Sequence, residues 1–141
     1  MTASGYTRAP YPPGVLEHFF RPRGAGRLGS GPNILEARVG ERRLGAELLL
    51  TVEVQGNRAV RAAFSAYGCP YLIAAASDLV EHVAGRTQDE LGHWKWRAQA
   101  ERLEIPTERF NRLLLVEDAL TACLAQWRAR GPDPRSRPAG S

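Results

Sequence analysis

The sequence predicts an α+β fold: a three-stranded antiparallel sheet covered on one face by helices. Three observations predict it. Ala46, Leu48, Leu50, Val52 and Val54 alternate with Glu47, Thr51, Glu53 and Gln55, as in a half-buried strand. Weaker alternations flank this run, Leu35, Ala37 and Val39 before it and Val60, Ala62, Phe64 and Ala66 after it. Two later stretches then carry apolar residues at helical spacing.

Gly56-Asn57 is a two-residue hairpin signal between the second and third runs, so an antiparallel meander is the simplest arrangement. A sheet with one apolar face needs a cover. After Pro70, which suits a first helical turn, Leu72, Ile73, Ala76, Leu79, Val80 and Val83 form one stripe that stops near Gly85. Thr87 to Leu91 forms another short helix. From Thr107, read as an N-cap after Pro106, the positions Phe110, Leu113, Leu114, Leu120, Leu124 and Trp127 define a last, long helix. Near the N-terminus, Val15, Leu16, Phe19 and Phe20 make a short amphipathic helix ended by Pro22, and Gly24 to Gly31 is a loop.

At 141 residues with 43% hydrophobic content the chain is sized for one core. Residues 1–13 and 131–141 are rich in Pro, Gly, Ser and Arg without apolar periodicity, and are read as tails around one domain at 14–130. No run approaches the roughly 20 apolar residues of a membrane span, and prolines 10, 12 and 13 break any secretory signal, so the cytoplasm is the expected location. The net charge of +4 is almost all arginine, Lys95 being the one lysine, and it is spread along the chain rather than blocked. That distribution argues for a solvated surface and against nucleic-acid binding.

Two cysteines, Cys69 and Cys123, exclude a disulfide framework and a CxxC zinc pattern. Cys123 shares a helical face with Val116, Leu120 and Trp127 and reads as a small buried hydrophobe. Cys69 stands at a helix N-terminus, where the dipole favours a thiolate, although free cysteine also packs readily in cores; both readings stay open. His18, His82 and His93 lie in different surroundings and read as surface histidines; His82 is thirteen positions beyond Cys69. Trp94 and Trp96 read as pins for a connecting segment, with an interface pair as the alternative. No nucleophile-base-orienter set, phosphate loop or paired-carboxylate pattern is present, so an enzyme is not expected.

Three strings, HFFRPRGAG at 18–26, FSAYGCPYLIAAASDLVEHVAGRTQDEL at 64–91 and LEIPTERFNRLLLVEDALTACL at 103–124, resemble the NifU/IscU iron-sulfur cluster scaffolds in content and order. They cover about half of the folded body. The resemblance implies a 2Fe-2S cluster or a zinc ion held by three cysteines with an aspartate and a histidine, and a cysteine desulfurase as partner. The family's first cysteine falls at Leu44 and its aspartate at Ala46; its second cysteine is kept as Cys69; its histidine and third cysteine fall at Asn111 and Arg112. One thiol beside a cation is expected where about four donors are needed, so the isolated monomer is expected to carry no cluster or zinc. Pooling of two Cys69 residues in a homodimer is left open. The family's chaperone-recognition string appears as Ile105-Pro106-Thr107-Glu108-Arg109, with one proline of two and an acid at its fourth position, which argues against chaperone binding. Two functions follow: a divergent assembly scaffold with Cys69 as sulfur acceptor, or a metal-free interaction or regulatory module on the same fold.

Overall fold

The computed structural model describes residues 11–130. The expected tails at 1–13 and 131–141 lie almost wholly outside that span. A helix α1 (Pro13–Phe20) is followed by strands β1 (Ile34–Glu41), β2 (Ala46–Gln55) and β3 (Arg58–Tyr67). Helices α2 (Pro70–Val83), α3 (Gln88–Gly92), α4 (Trp96–Leu103) and α5 (Phe110–Arg130) complete the chain. The sheet order is β1-β2-β3, antiparallel throughout, as the alternation predicts.

Register follows from burial. Leu35 and Ala37 of β1, Leu48, Leu50 and Val52 of β2 and Ala62 and Phe64 of β3 share the inner face, with Leu35 opposite Val52 and Leu50 opposite Phe64. Slipping one strand by one residue would turn that set to solvent. The hairpin at Gly56-Asn57 has positive φ only at Gly56 (62°), which fits a type II′ turn. Against the inner face pack α2 and α5, whose Leu72, Ala76, Leu79 and Val83, and Leu113, Val116 and Leu120, are buried in the same cluster. Cys123 belongs to that cluster, 1% exposed.

The outer face is not bare. Residues 24–26 run beside β3, Gly26 N–H donating to Phe64 O (2.7 Å) and Phe64 N–H to Gly24 O (2.8 Å). The chain then crosses the back of the sheet, where Leu28 N–H donates to Thr51 Oγ1 (3.1 Å) and Arg27 pairs with Glu36 of β1. The Gly-rich loop is thus a strap that covers Thr51 and Ala63 on the polar side, where both are buried. On the far margin, the Gln126 side chain of α5 exchanges hydrogen bonds with both backbone groups of Glu36, and Arg130 donates to the carbonyls of Pro32 and Ile34.

Four expectations are corrected. The segment after Trp94 is the helix α4, too polar for its apolar spacing to stand out, with only Ala100 and Leu103 buried among its apolar residues. Thr107 opens a 3-10 turn (Thr107–Arg109) capped by Pro106 rather than capping the last helix. In α1 the buried pair is Val15 and His18, while Phe20 is 72% exposed. His18 is therefore no surface histidine: its Nδ1 lies 2.8 Å from Ser77 Oγ. Trp94 is buried and Trp96 packs edge-to-face on Phe110 (4.9 Å), in keeping with their reading as pins. No helix among the described residues is long and apolar enough to cross a membrane.

Gly40, the penultimate residue of β1, adopts φ 81°, and a methyl group there would collide with the carbonyl of Ala46. Gly40→Ala is expected to cost about 1–3 kcal/mol, read as a lower urea midpoint with the slope unchanged.

Candidate functional site

One end of the sheet brings three segments together. The β1–β2 connection is a 3-10 turn, Arg42–Leu44, closed by Gly45 at φ 93°, a left-handed position that glycine adopts without strain. Beyond β3, Gly68 and Cys69 lead into α2. The third segment is the first turn of α5, with Asn111 and Arg112.

Gly45 is the hinge pin of this end. A Cβ built on Gly68 would lie 3.5 Å from the Gly45 carbonyl, and one built on Gly45 would lie 3.9 Å from an Arg112 Nη atom. The loop, the residue before Cys69 and the arginine of the last helix are thus successive neighbours. Cys69 is half-buried and is the N-cap residue of α2, its carbonyl accepting from Leu72 (3.0 Å) and Ile73 (3.2 Å) N–H while its thiol makes no capping bond. Pro70 has no N–H to offer, so the Tyr71 amide is the first free donor of that helix. Tyr71 forms the adjoining wall, buried, edge-on to Tyr11 (5.0 Å) and beneath the Arg109 guanidinium (6.0 Å). Burial pushes its phenol above the usual tyrosine range.

The other expected positions are distributed by exposure. Leu44 is 70% exposed, Ala46 is buried in the core, and Asn111 is exposed. Arg112 is half-buried, and its Nε is fully enclosed with no hydrogen-bond partner. Nor does its guanidinium join an acid among the described residues. Leu44, Ala46 and Asn111 supply no sulfur or imidazole, so Cys69 is the one soft donor of the five.

A second polar constellation escaped sequence reasoning. His18, Asp78 and Glu81 bring one ligand atom each within 4.8 Å of one another. Asp78 lies nine residues beyond Cys69 on α2, about 13 Å along its axis. His18 Nε2 stands 3.7 Å from Asp78 Oδ1, and Asp78 Oδ2 accepts from Gln99 Nε2 (2.9 Å) and from Arg102. Ser77 Oγ accepts from the Arg23 backbone N–H (2.7 Å) and shares a hydrogen bond with His18 Nδ1. Arg23 also stands 3.5 Å from Glu81. Arg102 thus faces Asp78, and Arg23 is shared between Glu81 and Glu17 (2.9 Å), so the cluster ties α1, α2 and α4 together. Ser77 is 0% exposed, so its arrangement with His18 and Asp78 has no access to a substrate. The sequence signal was a polar residue on each of two apolar helix faces, His18 in α1 and Ser77 in α2.

This sheet-and-helix sandwich with a site at one sheet end defines a class. The chain belongs to the NifU-like N terminal domain family, whose model matches residues 10–133. It is 33% identical over 118 residues to the iron-sulfur cluster assembly scaffold protein IscU of Haemophilus influenzae, covering 82% of this chain and 94% of that one. The IscU of Escherichia coli is 30% identical over 118 residues, with 82% and 92% covered. Among solved structures, a NifU-like protein (N-terminal) from Brucella abortus superposes with a TM-score of 0.67 at 19% identity, covering 84% of this chain and 94% of that one, a likeness of fold.

The thiols separate by environment. Burial lifts Cys123 to about 12 from an ordinary 9.0, so the thiolate is excluded in the native state. The unfolded chain ionises first, and stability contributed by this thiol is present below pH 9.0 and is lost as pH rises toward about 12. Iodoacetamide at pH 8 is expected to label one thiol of the native protein, at Cys69, and both after unfolding, read by peptide mass. Asp78→Ala, which strips Gln99 and Arg102 of their shared acceptor, is expected to cost about 2 kcal/mol in chemical denaturation.

Proposed function

We propose that this chain is a divergent iron-sulfur assembly protein that accepts sulfur at Cys69 and does not hold a 2Fe-2S cluster or zinc ion by itself. Family membership and the scaffold relatives support the assembly role. The observation that carries the finer reading is the donor set: one thiol, two side chains without donor atoms, an amide and a guanidinium whose Nε has no partner, where a cluster needs about four soft or imidazole ligands. A guanidinium repels a metal ion, but it suits a sulfur anion.

A persulfide needs one accessible thiolate, no more. The Cys69 thiol gives up its proton to solvent. The thiolate attacks the outer sulfur of a cysteine persulfide on a desulfurase, that S–S bond breaks, and the desulfurase thiolate leaves while Cys69 retains the transferred sulfur. The electron count is unchanged and no further oxidant enters. The protein in this reading is a sulfur relay and not an enzyme, working as one domain at 14–130, in the cytoplasm, with a cysteine desulfurase as partner. Nucleic acid, membrane and heat-shock-type chaperone play no part in it. Exposed Leu44 and Tyr67, the latter beneath the Arg42 guanidinium, border the site and favour an interaction surface as the second reading.

Incubation with a desulfurase and cysteine is expected to add about 32 Da, one sulfur, to the Cys69 peptide. The adduct should vanish in Cys69→Ser and shorten in lifetime in Arg112→Gln. An unmodified Cys69 peptide would end the relay reading and leave the interaction module, for which Cys69→Ser should be without consequence in the cell. Anaerobic reconstitution is expected to leave the purified monomer without stoichiometric iron or acid-labile sulfide.

A further inference from the structure

Helix α4 and the start of α5 enclose a groove of about 460 Å³ that takes no part in the Cys69 site. Ala100 and Ile105 are buried in its floor, and the half-buried Trp96 and Phe110, edge-to-face at 4.9 Å, line it with what remains exposed of their rings. Aromatic surface left at a groove invites a further ring. Three charges stand at the rim: Arg97, its guanidinium over the Trp96 ring (4.6 Å), and the exposed Glu101 and Glu104. Neither carboxylate has an ion-pair partner among the described residues. Of the charges just outside, Arg109 is turned to Tyr71 (6.0 Å) and Glu117 to the Trp96 N–H (3.3 Å), so the lining keeps one net negative charge.

Glu104 has a further peculiarity. Its backbone is left-handed, φ 56°, the one positive φ outside glycine among the described residues. Glycine would close α4 there without strain. A carboxylate kept at the rim in spite of that strain favours a cationic occupant. The chain itself supplies one within reach. A Cβ built on Gly14 would lie 4.0 Å from the Leu103 Cα, so the start of α1 runs beside the residue that precedes Glu104 and Ile105. On the other side Tyr11 meets Tyr71, whose ring lies under Arg109, the residue before Phe110. The sequence before Tyr11, MTASGYTRAP, has no acid, one aromatic at Tyr6 and one cation at Arg8. Tyr6 is separated from Tyr11 by a reach of roughly 17 Å when extended, and positions two apart then face the same side. Pro10 and Pro12 bias the residues before them, Ala9 and Tyr11, to extended backbone, which lowers the entropy lost on seating.

We propose that the groove seats residues 1–10 of the same chain, with the Tyr6 ring against Trp96 and Phe110 and the Arg8 guanidinium between Glu101 and Glu104. The other end of the chain is no rival. Residues 131–141 contain no aromatic and no large aliphatic side chain. They also leave from the far end of the 21-residue α5, about 30 Å from Phe110 at 1.5 Å per residue. A tether of a few residues holds the N-terminal segment at an effective concentration on the order of millimolar, so a foreign peptide of equal fit loses to it. The groove is thus a surface occupied in cis, open to a partner only when the segment is displaced.

Nuclear Overhauser contacts between the Tyr6 and Trp96 rings, and trypsin cleavage after Arg8, test this seat in the full-length protein. The contacts are expected within one molecule. Cleavage is expected to be at least about tenfold slower than in a synthetic peptide of residues 1–14, because it follows the population of the unseated segment. Tyr6→Ala, made in both protein and peptide, should bring the two rates together. The double variant Glu101→Gln, Glu104→Gln leaves the cleaved sequence intact and should speed cleavage about threefold, the worth of an exposed ion pair. Absence of Tyr6–Trp96 contacts together with peptide-like cleavage would overturn the assignment. Contacts seen only between differently labelled molecules would put a second copy in the groove and overturn it as well. So would protection unchanged by Tyr6→Ala or by loss of both carboxylates.

Discussion

The inner face of the sheet must be covered, and nearly everything else about this molecule follows from how it is done. Leu35, Leu48, Leu50 and Val52 are each no more than 2% exposed, and this face is sealed by two helices that arrive from different parts of the chain. Helix α2 follows the third strand directly, while α5 comes only after two short helices have carried the chain around. Because α2 packs near β3 and α5 near β1 and β2, their N-termini arrive at the same end as the β1–β2 turn. The convergence of Gly45, Gly68 and Arg112 is thus a by-product of core packing.

What the sequence revealed divides by the range of the interactions involved. Period-two alternation in β2 and the apolar stripe from Leu72 to Val83 are local, and they were legible. The burial of His18 was not, because the group that makes it tolerable, Ser77, lies 59 positions away. Helix α4 escaped notice for a related reason. Gln99 sits among Lys95, Glu101 and Arg102 and looks solvated, yet it is wholly enclosed, held by a backbone carbonyl and a carboxylate of α2. As for the site, spacing alone pointed only to a cysteine before a helical proline. The remaining four positions came from family resemblance, which can nominate positions but does not say that Arg112 would stand with an enclosed, unpartnered nitrogen.

That nitrogen changes the chemistry the site can support. In a scaffold that carries a cluster, negative thiolates converge and a cationic cargo neutralises them. Here the fixed charge is positive, the apolar Ala46 is sunk into the core, and the sole sulfur stands at the positive end of a helix dipole. The fixed polarity at this end of the sandwich favours an anion, and it is set by a turn, the first residue of β2 and the starts of two helices.

The glutamine of α5 that binds Glu36 has a bearing on how partners can meet this protein. An open strand margin is a template on which another polypeptide can add itself, by backbone pairing that reads no side chain. Gln126 imitates one residue of such a strand, Arg130 claims the carbonyls beside it, and residues 24–26 and 85–87 occupy the opposite margin. At those residues the backbone groups are already paired, so a foreign strand could add there only by displacing side chains and loops of the protein itself.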